Sequence, residues 1–479
     1  MDHETAAQNN LAPKLAIAQA SALVIFSSWA LGGRYPGCAI IIIILAWLSL
    51  VPLVIYWNQR EWNGIKKWLL CISPWLLLSL QVIISIFNPL NIPEASSDSL
   101  YITWQKNTPI PYFPICYEPA RTKEFALIQL GCLATAATVF TVIRSRQQIY
   151  ALLSIIALNG VTLAIIGSWF KLSKNPNVLG YFEPVNPHFF ASFRYYNHWV
   201  AFALLSLGAA AAVAERQIQF FNKFDRQDRT RQRWDVVWVA IAAIIWIAIP
   251  LSGSRSGLLF ATLFIIIASI RLAIAYRNRT SIFEDMERRT RKRLGIGILI
   301  GITLAGIIGP TLASDYLKAG IAKSRHQIES EQIDQRFYAS PRDCWKMVQD
   351  KPVWGWGLGS YTYIFFKFAG PEYKHKLGAF ILHNEHAHND WMEYWVELGS
   401  VGYALLLSVP IGVIYLTFKR KRAYLECFWI ALTIGLFLCF ASFDFPLGPS
   451  AGIAIFCVCF AAGARLSLGP GKAPQNYYD

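Results

Sequence analysis

The sequence predicts an all-helical polytopic membrane protein with about twelve transmembrane helices. Of its 479 residues, 55% are hydrophobic and 15% are charged, which is too few charges to cover a soluble protein of this length. The apolar residues form long blocks separated by short polar breaks, a pattern typical of membrane spans. The net charge of +15 concentrates in these breaks, where basic residues set orientation. We therefore expect membrane lipids, and no nucleic acid, as partners of the chain.

Each predicted span is long enough to cross roughly 30 Å of hydrocarbon. The spans cover residues 15–31, 37–57, 68–87, 125–143, 149–170, 198–214, 236–251, 257–275, 294–312, 392–418, 425–443 and 451–466. Residues 88–123 and 171–196 are polar, and irregular backbone of this kind cannot be satisfied in lipid. They are predicted as loops, as is the long segment 313–390, which contains no apolar block.

The basic residues predict the orientation of the spans. If the tail 1–14 is cytoplasmic, the inward loops hold the dense basic runs, such as 288–293 and 419–422. The short outward turns then hold only Arg34 and Arg255. The same alternation makes the tail 467–479 cytoplasmic and the 88–123, 171–196 and 313–390 loops outward. Spans one to nine thus fall within 15–312, and the last three within 391–466.

Most of the nine cysteines lie in apolar blocks, where cysteine acts as a small hydrophobic residue. Cys116 and Cys344 instead fall in predicted outward loops. A disulfide between them is compatible with an oxidising compartment, and the sequence leaves this pairing open.

One candidate for chemistry is the tight turn 252–257, Ser-Gly-Ser-Arg-Ser-Gly, between two apolar blocks. Arg255 lies there close to the membrane face, where a cation needs an anion, a carbonyl group or water. It can extend to lipid headgroups, or it can bind a phosphate with two parallel hydrogen bonds.

A second candidate is the stretch 335–350, which is predicted to form an amphipathic helix with Phe337, Cys344, Trp345 and Val348 available for its apolar face. Arg336 and Arg342 are its candidate anion ligands. The glycine-rich run 354–359 that follows lacks the Lys-Ser/Thr ending of a phosphate-binding loop.

The third candidate is the histidine cluster that precedes the tenth span. His383, His386 and His388, with Glu385 or Asp390, have the residue types of a zinc site. Their spacing matches no known zinc-protease pattern. One histidine beside a carboxylate can instead accept a proton at neutral pH, and this is the favoured interpretation.

Several short motifs together resemble the O-antigen ligase superfamily. They are His388-Asn389-Asp390-Trp391 with Glu397-Leu398-Gly399 and Gly402; the turn Gly253-Ser254-Arg255-Ser256-Gly257; Arg336 with Asp350, Pro352, Gly355, Gly357 and Gly359; and Tyr196-Asn197-His198. The resemblance covers about residue 119 to the C-terminus.

The resemblance implies a membrane glycosyltransferase of the C-type architecture with a large helical periplasmic loop. Such an enzyme transfers a glycan from undecaprenyl diphosphate to an acceptor at the periplasmic face of the bacterial inner membrane, without a metal or other cofactor. The acceptor is lipid A–core in the ligases of lipopolysaccharide biosynthesis, a growing polysaccharide in the polymerases, or a protein in the glycosylases of pilins. The sequence does not distinguish these acceptors, nor does it define the glycan or the oligomeric state.

Carried over residue by residue, the resemblance makes His388 the general base for the acceptor hydroxyl. Arg255 and Arg336 would bind the diphosphate, with Arg342 as the alternative to Arg336. The residues with supporting roles would be Asn389, Asp390, Glu397, Asn197 and His198. The rival interpretation from another class is a transporter of a small anion such as bicarbonate. A transporter usually has charged residues at mid-membrane and repeated halves, and neither is visible in this sequence.

Overall fold

The computed structural model describes residues 2–35, 37–58, 62–94, 103–184, 188–224, 234–278, 340–370, 385–420 and 427–469. Four sequence predictions lie outside the described residues. They are the span at 294–312, Arg336 as an anion ligand, Phe337 on the apolar face of its helix and His383 as a member of the histidine cluster.

The described part of the chain is a bundle of long apolar helices. Helices form here because an apolar segment in lipid must satisfy its own backbone hydrogen bonds. They are α1 (Asp2–Trp29), α2 (Cys38–Trp47), α3 (Leu50–Trp57), α4 (Trp62–Ile86), α5 (Pro119–Val142), α6 (Arg146–Leu172), α7 (Tyr196–Phe224), α8 (Trp234–Leu251), α9 (Arg255–Asn278), α10 (Ser340–Asp350), α11 (Tyr361–Phe368), α12 (Asp390–Lys419), α13 (Phe428–Phe440) and α14 (Ser450–Leu468).

Nine segments of the described chain are long and apolar enough to cross a membrane. They are Leu11–Trp29, Cys38–Trp57, Leu69–Ile86, Pro119–Val142, Arg146–Leu172, Tyr196–Gln219, Trp234–Leu251, Asp390–Lys419 and Ser450–Leu468. Each overlaps a predicted span. The predicted span 257–275 falls in α9, which is not among the nine, and 425–443 contains only the shorter apolar helix α13. The helical membrane architecture is thus confirmed, while the full number of spans stays a prediction.

Helix α5 begins at Pro119, six residues before the predicted start of its span at residue 125. The cause is an N-cap: the Glu118 carboxylate accepts hydrogen bonds from the backbone N–H groups of Ala120 and Arg121, both at 2.7 Å. Proline suits the first helical position because its missing N–H needs no partner there. The additional turn carries Arg121 to the end of the bundle where the polar residues described below converge.

Helix α7 forms the centre of the bundle, since 94% of its span is buried. It packs against α6, α8, α13 and α14. At its N-terminal end lie two buried polar residues, Asn197 and His198. A buried polar side chain requires hydrogen-bond partners, so this end of α7 marks a place where polar groups must meet.

The loop between α4 and α5 departs from the irregular structure predicted for 88–123, because it contains a small antiparallel hairpin. Strand β1 (Asn91–Glu94) pairs with β2 (Thr103–Lys106), with Asn91 opposite Lys106. The Asn88 amide donates to the carbonyl groups of Ile110 and Pro114, both at 3.1 Å. The loop is therefore tied to itself, and an all-α description is incomplete at this point.

Helix α10 confirms the predicted amphipathic helix between residues 340 and 350. Cys344 and Val348 are buried as expected, but Trp345 is 46% exposed and packs edge-on against Trp395 instead. The apolar face is completed by Met347, which is fully buried. Cys344 and Cys116 are both free thiols, so the disulfide considered between them is not formed.

Candidate active site

The segment 385–389 crosses one end of the bundle and leads into α12. Asn389 caps this helix by accepting a hydrogen bond from the backbone N–H of Met392 at 3.1 Å. The next residue, Asp390, binds the turn between α13 and α14 twice. Its N–H donates to the Ala441 carbonyl, and its carboxylate accepts from the Leu447 N–H, both at 2.9 Å. These contacts hold His388 against the turn formed by residues 441–449.

His388 faces a carboxylate across this contact. Its Nδ1 lies 3.4 Å from Oδ1 of Asp444, an ion-pair distance rather than a made hydrogen bond. The His388 side chain is 21% exposed, whereas that of Asp444 is only 3% exposed. A buried carboxylate beside Nδ1 orients the ring and leaves Nε2 for a substrate, which is the arrangement of a histidine base.

The backbone at His388 is strained. Its φ is +54°, a left-handed conformation that side chains with a Cβ rarely adopt. The neighbours on both sides fix it, because Asn389 caps α12 and the Ala387 N–H donates to the Glu393 carboxylate at 2.8 Å. Strain of this kind persists only where the surroundings overdetermine it, and it concentrates at functional sites.

Asp444 is held by several hydrogen-bond donors. The Asn197 amide and the Tyr195 hydroxyl donate to its Oδ2, and the Phe445 N–H donates to its Oδ1 at 2.9 Å. Burial raises the pKa of the Asp444 carboxyl, but the neighbouring His388 and His198 and the Phe445 N–H outweigh burial and lower it overall. Asp444 therefore carries a negative charge at neutral pH.

The Ser-Arg turn reaches the same place through Asn197. The Ser254 hydroxyl donates to Oδ1 of Asn197 at 2.6 Å and accepts from the Gly257 N–H at 3.0 Å. Gly253, with φ of +84°, permits the sharp turn before it. Arg255 is the first residue of α9 and follows Ser254 directly. A chain of contacts thus runs from Ser254 through Asn197 and Asp444 to His388.

His198 is buried among aromatic rings at the N-terminal end of α7. Its ring meets Tyr195 and Phe445 edge-on, at centroid distances of 5.1 and 4.9 Å. Its Nε2 has no hydrogen-bond partner among the described residues. The arrangement supports a packing role for His198 beside Asp444.

His386 has a different environment from His388. Its Nδ1 lies 2.7 Å from the Glu393 carboxylate, and its Nε2 lies 3.0 Å from a guanidinium nitrogen of Arg34. Its ring stacks on Phe445 at 4.3 Å. With both nitrogens engaged and 5% of the residue exposed, His386 has no free nitrogen for a substrate proton. The structure therefore distinguishes the two histidines, because of the two only His388 has a ring nitrogen available to a substrate.

The glycines of the sequence motifs lie where backbone segments pack closely together. The backbones of Gly355 and Gly399 lie so close that a Cβ added to either would come within 2.4 Å of the other's nitrogen. The Glu397 carboxylate accepts from the Tyr361 N–H at 3.1 Å, and its carbonyl accepts from the Gly357 N–H at 2.9 Å. Glu397 and these glycines therefore fasten the 352–360 loop to α12 rather than bind a ligand.

Arg342 lies on α10 and is paired with its neighbour. Two of its guanidinium nitrogens donate to the Asp343 carboxylate, at 3.0 and 3.2 Å. Asp343 is fully buried and also accepts from Lys346 Nζ at 3.1 Å and from the Gly370 N–H at 3.0 Å. The Asp343 carboxylate thus partly neutralises Arg342, while the other loop candidate, Arg336, lies outside the described residues.

Across the part of the chain that the structure describes, no group of three or more His, Cys, Asp or Glu residues is arranged to hold a metal ion. His386 in particular is bound to Arg34, which excludes its Nε2 as a ligand in this conformation.

A bundle of apolar helices with a polar cluster at one end defines a multi-pass membrane protein. Residues 240–407 match the family model of the O-antigen ligases, and this match supports membership of the O-antigen ligase superfamily. The matched region runs from within α8 into α12 and contains both Arg255 and His388. No curated protein matches the chain.

Sequence reasoning missed Asp444, the carboxylate that His388 faces. It lies 56 positions beyond His388 and outside the matched region. One signal was available, because Asp444 is the only charged residue between the last two apolar blocks. It also missed the pairing of His386 with Arg34, whose positions lie 352 residues apart.

Proposed function

We propose that this chain transfers a glycan from undecaprenyl diphosphate to an acceptor hydroxyl at the periplasmic face of the bacterial inner membrane. The acceptor is lipid A–core or a growing polysaccharide. The match of residues 240–407 to the family model of the O-antigen ligases supports a role of the ligase or polymerase kind. The observation that carries the proposal is the His388–Asp444 pair at 3.4 Å, connected through Asn197 to the turn that bears Arg255.

In this mechanism His388 acts on the acceptor. Its Nε2 takes the proton of the acceptor hydroxyl while the oxygen attacks the anomeric carbon of the donor sugar. The bond from that carbon to the diphosphate oxygen breaks, and the carrier leaves as undecaprenyl diphosphate. Asp444 stabilises the imidazolium that forms, since a buried carboxylate beside Nδ1–H favours the charged ring. Direct displacement inverts the anomeric configuration.

The leaving group explains why cations are needed. Negative charge grows on the diphosphate as the glycosidic bond breaks, and fixed cations lower the energy of that state. The position of Arg255 directly after Ser254, whose hydroxyl caps α9 and binds Asn197, supports this role. The N-terminus of α9 adds its helix dipole at the same point. Arg336 is the proposed second cation.

The decisive experiment compares two histidine variants in the purified full chain with a lipid-linked glycan donor. His388→Ala should reduce transfer by about 10² to 10⁴-fold, the contribution typical of a general base. His188→Ala is the matched control, since His188 lies at the same end of the bundle but contacts Tyr196 rather than Asp444. Normal turnover by His388→Ala would overturn the proposal.

Deletion of the gene in the source bacterium distinguishes the acceptors. Mass spectrometry that finds unmodified lipid A–core beside accumulated carrier-linked glycan indicates a ligase. Single repeat units in place of long chains indicate a polymerase. Unchanged lipopolysaccharide, exopolysaccharide and glycoprotein would contradict transfer altogether.

A further inference from the structure

A third arginine, which the sequence motifs do not include, lies beside the proposed site. Arg34 follows a short turn, Leu31–Gly33, between α1 and α2. The turn packs tightly against the start of α14, since a Cβ added to Gly33 would come within 2.8 Å of the Ser450 side chain. The guanidinium carbon of Arg34 lies 5.8 Å from the centre of the Phe445 ring. His388 contacts the same ring edge-on at 4.9 Å, so both residues pack around Phe445.

His386 orients the guanidinium of Arg34 through a hydrogen bond. An arginine can only donate, so His386 Nε2 is the acceptor in their 3.0 Å contact. The proton of the neutral ring is then on Nδ1, which faces the Glu393 carboxylate at 2.7 Å. A neutral histidine orients Arg34 without cancelling its charge. This contrasts with a carboxylate partner, which would neutralise the arginine.

The only acidic partner of Arg34 within the described residues is weakly held. Glu385 approaches through one oxygen at 3.4 Å, and the two side chains are 33% and 55% exposed. Charge-assisted hydrogen bonds are normally about 2.7–2.9 Å long and often paired for arginine. A single long contact between exposed groups contributes little stability, about 0–1 kcal/mol. Glu385 can therefore leave at small cost.

Arg34 is also a partly desolvated cation. Burial is the main influence that lowers the pKa of Arg34; Glu385 opposes this effect, and the nearby Arg121 adds to it. The Arg121 guanidinium packs over the Phe125 ring at 4.5 Å, and within the described residues it forms no ion pair with a carboxylate. Arg34 thus lies within electrostatic range of a second guanidinium group and is paired with one loosely bound carboxylate. An anion of higher charge is the ligand that such a place attracts.

We propose that Arg34 binds a phosphate-type oxyanion of the substrate, and that this anion displaces Glu385 from Arg34. The proposal rests on the proposed function, because it assigns Arg34 to the substrate of the same site. The oxyanion is the diphosphate of the carrier or an anionic group of its glycan. His386 and Glu393 are positioning residues, which act only through Arg34.

The two members of the pair give opposite predictions, and this makes the test specific. Binding is measured on the purified full chain in the His388→Ala background, where turnover does not interfere, with sugar-free polyprenyl diphosphate as the probe. Arg34→Gln should weaken binding by about 10-fold to 100-fold, the range of one charged hydrogen bond. Arg34→Lys, which keeps the charge and loses the planar fork, should fall in between. Glu385→Gln should strengthen binding, because it removes the competing carboxylate.

Lys174→Gln is the control for net charge, since Lys174 is an exposed cation in the loop before α7, at the same end of the bundle. It should leave binding unchanged. Melting temperatures of all variants check that each is folded. The same series with glycan-linked carrier locates the anion: weakening seen only with that probe places it on the glycan and still supports the proposal.

A merely structural pair would behave otherwise. If Glu385→Gln weakened binding as Arg34→Gln does, Glu385 would be a support rather than a competitor, and the proposal would be overturned. Unchanged binding of both probes to folded Arg34→Gln would overturn it as well. These outcomes leave the proposed function intact as long as His388→Ala abolishes transfer, so the two failures are distinguishable.

Discussion

The two ends of the bundle hold charged pairs of opposite character. At the end away from the site, Arg271 binds both oxygens of Glu215 at 2.7 Å, and these side chains are only 12% and 9% exposed. Trp429 donates to the same carboxylate, and the Arg271 guanidinium lies 4.2 Å from the Phe428 ring centre. At the site end, Arg34 meets Glu385 through one contact of 3.4 Å. Glu215 lies about 27 Å from Asn197 along α7, by the rise of 1.5 Å per residue.

The difference between the two ion pairs distinguishes charges that stabilise the bundle from charges that remain available to bind a ligand. Glu215 has every lone-pair direction used, so nothing further can bind there. Glu385 can exchange, and His388 keeps one ring nitrogen and 21% of its side chain exposed. A binding site must leave some hydrogen-bonding capacity open, whereas the carboxylate of a structural ion pair in a low-dielectric interior must be fully paired. This contrast predicts which substitutions damage activity and which damage stability.

The largest expected effect is on transfer. Asp444→Asn keeps the size of the side chain but removes the charge that stabilises the His388 imidazolium. We expect transfer to fall by about 10² to 10⁴-fold, measured as turnover of a lipid-linked donor. Thermal stability should change less than for a substitution at Glu215. A variant with normal transfer would show that Asp444 only holds Asn197 and Tyr195 in place.

The same variant also changes the response to acid. The pKa of Asp444 is below that of an unfolded aspartate, so its charged form stabilises the folded state above the unfolded pKa. That contribution is lost as the pH falls below about 4 and through the folded pKa. Melting temperatures of Asp444→Asn should therefore depend less on pH in this acidic range than those of the natural protein.

The next effect is on stability at the far end. Glu215→Ala leaves Arg271 buried without its counter-charge, which costs about 3–5 kcal/mol in comparable pairs. Glu385→Ala, the matched change in the loose pair, should cost less than about 1 kcal/mol. Thermal unfolding in one detergent measures both. Equal losses would show that exposure does not separate the two pairs as we argue.

The sequence predicted the elements of the site better than their connections. Residues such as Asn197, Arg255 and His388 could be found because each lies where an apolar block begins or ends, and that boundary is visible in composition. Asp444 and Arg34 could not, because their roles come from the packing of helices distant along the chain. A single charged residue in a turn does not show which side chain it will contact. The packing of α13, α14 and the α1–α2 turn determines those contacts.

A smaller effect is expected where the 352–360 loop touches α12. Gly399 has φ of +64° and lies against the backbone of Gly355, so a Cβ there cannot be accommodated without movement. Gly399→Ala should therefore cost about 1–3 kcal/mol through strain and separate the 352–360 loop from α12. Gly412→Ala is the matched control, because Gly412 lies on the same helix with nothing within 4 Å of an added Cβ. Equal melting temperatures for the two variants would show that the loop contact is not required.

The smallest effect isolates the backbone strain at His388. Both His388→Ala and His388→Gly remove the base, so both should lack transfer. They differ in conformation, because glycine adopts a φ of +54° without a Cβ penalty and alanine does not. His388→Gly should therefore be more stable by about 1 kcal/mol, a difference that thermal unfolding can resolve. Equal stabilities would mean that the segment relaxes once the imidazole is gone. In that case the contact with Asp444, and not the capped start of α12, holds His388 in its strained form.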